Sequence, residues 1–134
     1  MVNNQEGNTK NNGMKKIYYL STCSTNLSIF KETNIIQVQN KFILQDIKVE
    51  KITVKQLDEM KRLIGSYEAL FSRRAIKYKE WNLKNKSLSE EDYRKYILEE
   101  YTFLKRPVVI INDKIFAGSE KRTVEALKKE VKFI

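Results

Sequence analysis

Leu104-Lys-Arg-Pro-Val-Val-Ile-Ile-Asn-Asp-Lys-Ile-Phe-Ala117 is the stretch on which the fold turns. Val108 to Ile111 are β-branched without interruption, which predicts a short strand buried on both faces. Asn112-Asp113 is a two-residue turn of the kind that accepts positive φ, so Lys114 to Ala117 should return as an antiparallel partner. Pro107 stands at the first residue of the strand, a position where a missing N–H is tolerated. Beyond the hairpin, Ser119 caps a last helix with Val124, Leu127 and Val131 inward at i, i+3 and i+7.

The same reading extends towards the N-terminus. Lys16-Ile-Tyr-Tyr-Leu20 is β-branched and aromatic and predicts a strand, followed by a helix over residues 24–33 with Leu27 and Phe30 on one face. Phe42-Ile-Leu-Gln-Asp-Ile47 predicts a second strand. Thr53 and Gln56 have capping-box spacing ahead of Leu57, Met60 and Ile64, and Gly65 stops that helix. A further helix starts at Ser87 or Ser89 and carries Tyr93, Tyr96, Ile97 and Tyr101. The order is therefore β-α-β, a helical block of roughly 50 residues, then β-β-α. A parallel βαβ unit joined to an antiparallel ββα unit is the plan of an α/β, thioredoxin-like (glutaredoxin-like) fold. It has a mixed four-stranded sheet and, here, a helical insertion between the halves. An unrelated α+β sandwich of the same element order is the alternative.

Composition narrows the chemistry. The 134 residues suit one domain, expected over residues 14–134 behind a polar tail at residues 1–13. No apolar run approaches the ~20 residues of a membrane helix. His is absent, which removes His-dependent triads, HExxH zinc helices and imidazole proton shuttles. Cys occurs once, so there is no thiolate zinc site and no internal disulfide; no metal is expected. A lone Cys and a net charge of +9 fit a reducing cytoplasm.

What remains is Cys23, between the first strand and the first helix. The helix's first N–H groups and its dipole favour a thiolate there. With the hydroxyls of Thr22, Ser24 and Thr25, those N–H groups form an anion cradle. The bland alternative is a small buried hydrophobe. A C-x5-R phosphatase loop would need Arg at Ile29, and a Walker loop would need glycines that are missing. A C-x-x-C dithiol would need a second Cys at Asn26, so any redox centre is a monothiol one. Arg106, ahead of Pro107, is either an oxyanion donor or a surface residue. The basic run Ser72-Arg-Arg-Ala-Ile-Lys-Tyr-Lys79 suits a phosphate or RNA. Because the charge excess is spread over the whole chain, a solvated loop is favoured over nucleic acid.

Cys23 at the strand–helix junction, Tyr67-Glu-Ala-Leu-Phe-Ser-Arg-Arg74, and Glu99-Glu-Tyr-Thr-Phe-Leu-Lys-Arg-Pro-Val-Val109 together resemble the arsenate reductase-like (ArsC/Spx) family of the thioredoxin superfamily. The likeness runs from about Met14 to Val131. It implies a glutaredoxin-like fold in which Cys23 attacks an oxyanion such as arsenate or a thiol substrate. The adduct would be resolved by an external thiol: glutathione, a glutaredoxin or thioredoxin. It also implies a cis bond at Pro107, with Arg106 as the anion-binding Arg before it. Asn26 falls among the anion-site residues. Arg73 and Arg74 stand just after Ser72, where a second family Arg is expected. A third is missing at Gly118 or Ser119, and Leu27 replaces an Arg four residues after the Cys. The competing reading within the same family is a Spx-like regulator docking on RNA polymerase without catalysis. Partners then reduce to a small oxyanion or thiol substrate and a redox partner protein, with no membrane.

Overall fold

The computed structural model describes residues 13–134. All but Gly13 of the tail expected at residues 1–13 therefore lies outside the described residues.

The chain divides into two units. The first comprises residues 13–46 and 106–134. It holds β1 (Lys15–Tyr19), α1 (Ser24–Glu32), β2 (Ile43–Asp46), β3 (Val108–Ile111), β4 (Lys114–Ala117) and α5 (Lys121–Val131). The strands form one mixed sheet in the order β2-β1-β3-β4. β1 is parallel to β2, with Ile17 opposite Leu44, and antiparallel to β3, with Tyr18 opposite Val108. β3 and β4 form the hairpin read from the sequence, Val109 opposite Phe116, and Asn112 takes φ 60° in its turn. This is the thioredoxin-like plan, and the α+β sandwich falls away.

One sheet face packs on two helices. Ile17, Val109 and Ile111 meet Ile29 and Phe30 of α1 and Val124, Leu127 and Val131 of α5. The periodicity of α5 was correctly legible, but its N-cap is Glu120 rather than Ser119, with no side-chain cap bond. On α1 the buried face is Asn26, Ile29 and Phe30, while Leu27 is 50% exposed. The pairing of Leu27 with Phe30 therefore fails. A buried side-chain amide takes the place that an apolar reading gives to Leu27. β2 lies at a sheet edge with Ile43 64% exposed and Gln45 buried.

The second unit, Ile47–Lys105, is the helical insertion, with α2 (Val54–Ile64), α3 (Ile76–Glu80) and α4 (Glu90–Glu99). At the start of α2, Gln56 N–H donates to Thr53 Oγ1 at 3.0 Å and Thr53 N–H to Gln56 Oε1 at 3.1 Å, a complete capping box. Ser89 and Asp92 form the second box, so α4 starts from Ser89, not Ser87. Tyr101 lies past α4 in a 3-10 turn. An antiparallel bridge joins Phe71 to Leu104, and Phe71 stacks on Phe103 at 4.9 Å.

Candidate active site

The site begins where β1 ends. After Leu20 the chain turns through Ser21 and Thr22 and enters α1 at Cys23, the N-cap residue, in an extended conformation (φ −97°, ψ 114°). Cys23 N–H donates to Leu20 O at 3.0 Å, and Cys23 O accepts from Asn26 N–H at 3.2 Å. The turn is thus tied at both ends by backbone. Its outer side is held by Ser21 Oγ–H, which donates to the Asp46 carboxylate of β2.

Asn26 ties it from inside. Only 1% of this residue is exposed. Its Oδ1 accepts from Leu20 N–H at 2.8 Å, and its Nδ2 donates to Cys23 Sγ at 3.5 Å. A backbone N–H can only donate, so Oδ1 must face Leu20 and the amide N–H must face the sulfur. The sequence did not show this contact. Spacing placed Asn26 three residues from Cys23, but nothing in the pattern said that it was buried.

The remaining residues divide between the two units. Ser24 and Thr25 are exposed on the first turn of α1 and line a cleft of about 590 Å³ with Ser119 and Lys121. Cys23 lines a different cavity, of about 220 Å³, with Tyr19, Leu27, Phe30, Ile35, Gln39 and Leu44 among its walls. The Arg106–Pro107 bond is cis. Continuing the β1–β3 register by one residue from Tyr18 opposite Val108 sets Pro107 beside Tyr19, at the end of β1 that leads to Cys23. Pro107 is buried, and its carbonyl accepts from Gly118 N–H at 2.9 Å. Arg106 is half-buried.

Arg73 and Arg74 belong to the insertion. Arg73 Nη2 donates to Glu68 Oε2 and to Tyr93 Oη, both at 3.0 Å, and its guanidinium lies 5.8 Å from the Tyr93 ring centroid. The hydrogen bond to Glu68 raises its pKa further, so it stays charged. Arg74 is exposed, and its backbone N–H donates to Ser72 Oγ at 3.3 Å. Among the described residues no three His, Cys, Asp or Glu gather as metal ligands. None of the described helices is long and apolar enough to cross a membrane.

One thiol at the N-terminus of the first helix, with a cis-proline on the strand beside it, defines a thioredoxin-fold protein with a monothiol site. The ArsC family model matches residues 18–127, and the chain belongs to the ArsC family. Solved structures agree on the fold. A Bacteroides fragilis protein described as a candidate relative of the ArsC family superposes with TM-score 0.70 at 22% identity, over 85% of this chain and 98% of its own. An arsenate reductase from Vibrio cholerae gives 0.64 at 22% identity, over 89% and 98%. A Yersinia pestis protein described as a candidate arsenate reductase gives 0.66 at 18% identity, over 90% and 99%. No curated protein matches the sequence.

Proposed function

We propose that this protein is a monothiol oxidoreductase of the arsenate reductase type, with Cys23 as nucleophile on an oxyanion or thiol substrate. The observation that carries the reading is Cys23 Sγ at the N-cap of α1 with the Asn26 amide directed at it, in a member of the ArsC family. With arsenate, the Cys23 thiolate displaces a hydroxide from As(V), forming an S–As bond. An external thiol then reduces the arsenic by two electrons, releasing arsenite and leaving Cys23 in a mixed disulfide. A second thiol attacks that disulfide, so two thiols leave as one disulfide and Cys23 is restored. Glutathione, a glutaredoxin and thioredoxin are the candidate reductants. Arg106 is the cation assigned to the oxyanion, with the hydroxyls of Ser24 and Thr25 as neutral donors.

The alternative is a Spx-like regulator that docks on RNA polymerase without catalysis: under redox control it would need a second thiol beside Cys23, where position 26 holds an amide fixed in the turn, whereas docking independent of redox would not. The test is arsenite production from arsenate with each reductant system. Cys23→Ser should reduce it to the uncatalysed background while leaving the circular dichroism spectrum intact. Turnover that survives Cys23→Ser would end the proposal.

A further inference from the structure

The stretch Ile76–Lys86 of the insertion has no part in the reaction proposed above. Its sole carboxylate is Glu80, against Lys77, Lys79, Lys84 and Lys86. Glu80 is already engaged, with its Oε1 at 3.3 Å from Lys77 Nζ. Lys79, Lys84 and Lys86 are exposed and, among the described residues, form no ion pair.

Backbone bonds hold this stretch in two consecutive turns. Trp81 N–H donates to Lys77 O at 2.8 Å at the end of α3, and Lys86 N–H donates to Leu83 O at 3.0 Å in the 3-10 turn that follows. The inner side is set by Tyr78, whose ring lies 6.0 Å from that of Phe71, and by the buried Leu83. Two apolar side chains remain outside. Ile76 is 75% exposed, and Trp81, with Phe103 at 5.4 Å and Tyr96 at 5.9 Å from its ring, is 37% exposed. Helical spacing puts Ile76 beside Lys79 and Trp81 beside Lys77. Trp is among the residues that most often anchor an interface, and the lysines supply the polar rim around it.

Charge decides the partner. A second copy of this surface would bring like charges together, which opposes self-association. The partner must therefore be acidic, and two details fix its class. All four cations are Lys, point charges that suit single carboxylates and lack the Arg fork that matches phosphate. Ile76 offers an aliphatic contact that a sugar-phosphate backbone cannot use and a peptide side chain can.

We propose that Ile76, Trp81, Lys79, Lys84 and Lys86 form a docking surface for an acidic protein segment that carries an aliphatic or aromatic side chain among its carboxylates. The carboxylates pair with the three lysines that lack an ion pair, and the apolar side chain covers Ile76 and the open part of Trp81. Nothing in this surface depends on Cys23, so it stands or falls apart from the thiol reaction.

Trp81 is the single Trp, so its emission reports on this surface. Three probes of equal length would be titrated by fluorescence anisotropy of an attached fluorescein, with Trp81 emission followed for the unlabelled forms. They are a glutamate peptide containing two leucines, the same peptide with serines in their place, and a thymidine oligonucleotide. The leucine peptide should bind about fivefold or more tightly than either other probe, shift Trp81 emission, and weaken as salt rises. Lys84→Glu and Lys86→Glu should each weaken it severalfold, and Ile76→Ser should bring it down to the level of the serine peptide. All three positions are exposed, so these changes leave the core intact. Lys128→Glu, at an exposed lysine of α5 outside this stretch, should change binding far less. An oligonucleotide that binds as tightly as the leucine peptide would assign the surface to nucleic acid and overturn the proposal. So would a serine peptide that binds equally well, lysine reversals without effect, or no saturable binding of the leucine peptide.

Discussion

Asn26 accepts from the Leu20 N–H at the start of the turn and donates to the Cys23 thiol at its end, so one amide ties the turn from both sides. Replacing it with Leu, which keeps its branched shape but cannot accept a hydrogen bond, leaves the buried Leu20 N–H without an acceptor. Urea titration should show a loss of about 1–3 kcal/mol, the cost of an unsatisfied buried donor. A variant as stable as the parent would mean that water replaces the amide. Cys23 and Pro107 were legible because their positions are tied to element boundaries, which a pattern of apolar residues reveals. The burial of Asn26 was not, because a polar residue on the inner face of a helix breaks the pattern that would locate it. Arg73 illustrates the opposite limit: a charged run says where cations are, not that Glu68 and Tyr93 already engage one of them.

At the scale of elements, the boundaries that sequence placed best are those with a chemical stop. Thr53 and Gln56 start α2 by reciprocal hydrogen bonds, and Gly65 ends it at φ 111° with its N–H on Lys61 O at 2.8 Å. A Cβ at Gly65 would meet nothing within 4 Å, so Gly65→Ala has only the backbone conformation against it. That conformation should cost about 1–2 kcal/mol, and Thr53→Ala about 1 kcal/mol through the lost cap. Thermal unfolding of both single variants and the double variant checks this. The caps lie at opposite helix ends, so the two losses should add. Where no such stop exists, the sequence reading drifted. Leu27 looks like core by its spacing from Phe30, yet α1 turns the Asn26 amide inward in its place. Hydrophobicity specifies what could be buried; the position of a strand in its sheet decides what is.

For the whole molecule, the relevant quantity is charge. The chain carries 26 Lys and Arg against 17 Asp and Glu, so each carboxylate lost to acid widens an existing excess. Several carboxylates in the insertion are tied into its structure. Asp58 accepts from Arg94 Nε at 3.0 Å and Nη2 at 3.2 Å, and from the Tyr67 hydroxyl. Arg94 first, then Tyr67, hold its pKa below 3.8, while the bond to Asp58 raises that of Arg94. Glu59 is held low by Arg62, and Asp92 by its cap on Ser89. A carboxyl group whose folded pKa lies below its unfolded value binds fewer protons when folded. Its contribution to stability is therefore complete above the unfolded value and fades as pH falls through the folded one. Stability should thus be level near neutral pH and decline once pH drops below about 4, the unfolded range of Asp and Glu. Asp58→Asn removes one of these linked groups. Urea midpoints measured from pH 7 to pH 2 should show the variant less stable at pH 7, with a shallower decline in acid, so that the two curves converge at the lowest pH. Added salt should moderate the decline in both by screening the growing positive charge. Curves that stay parallel throughout the titration would show that Asp58 is tied to Arg94 no more tightly in the folded chain than in the unfolded one.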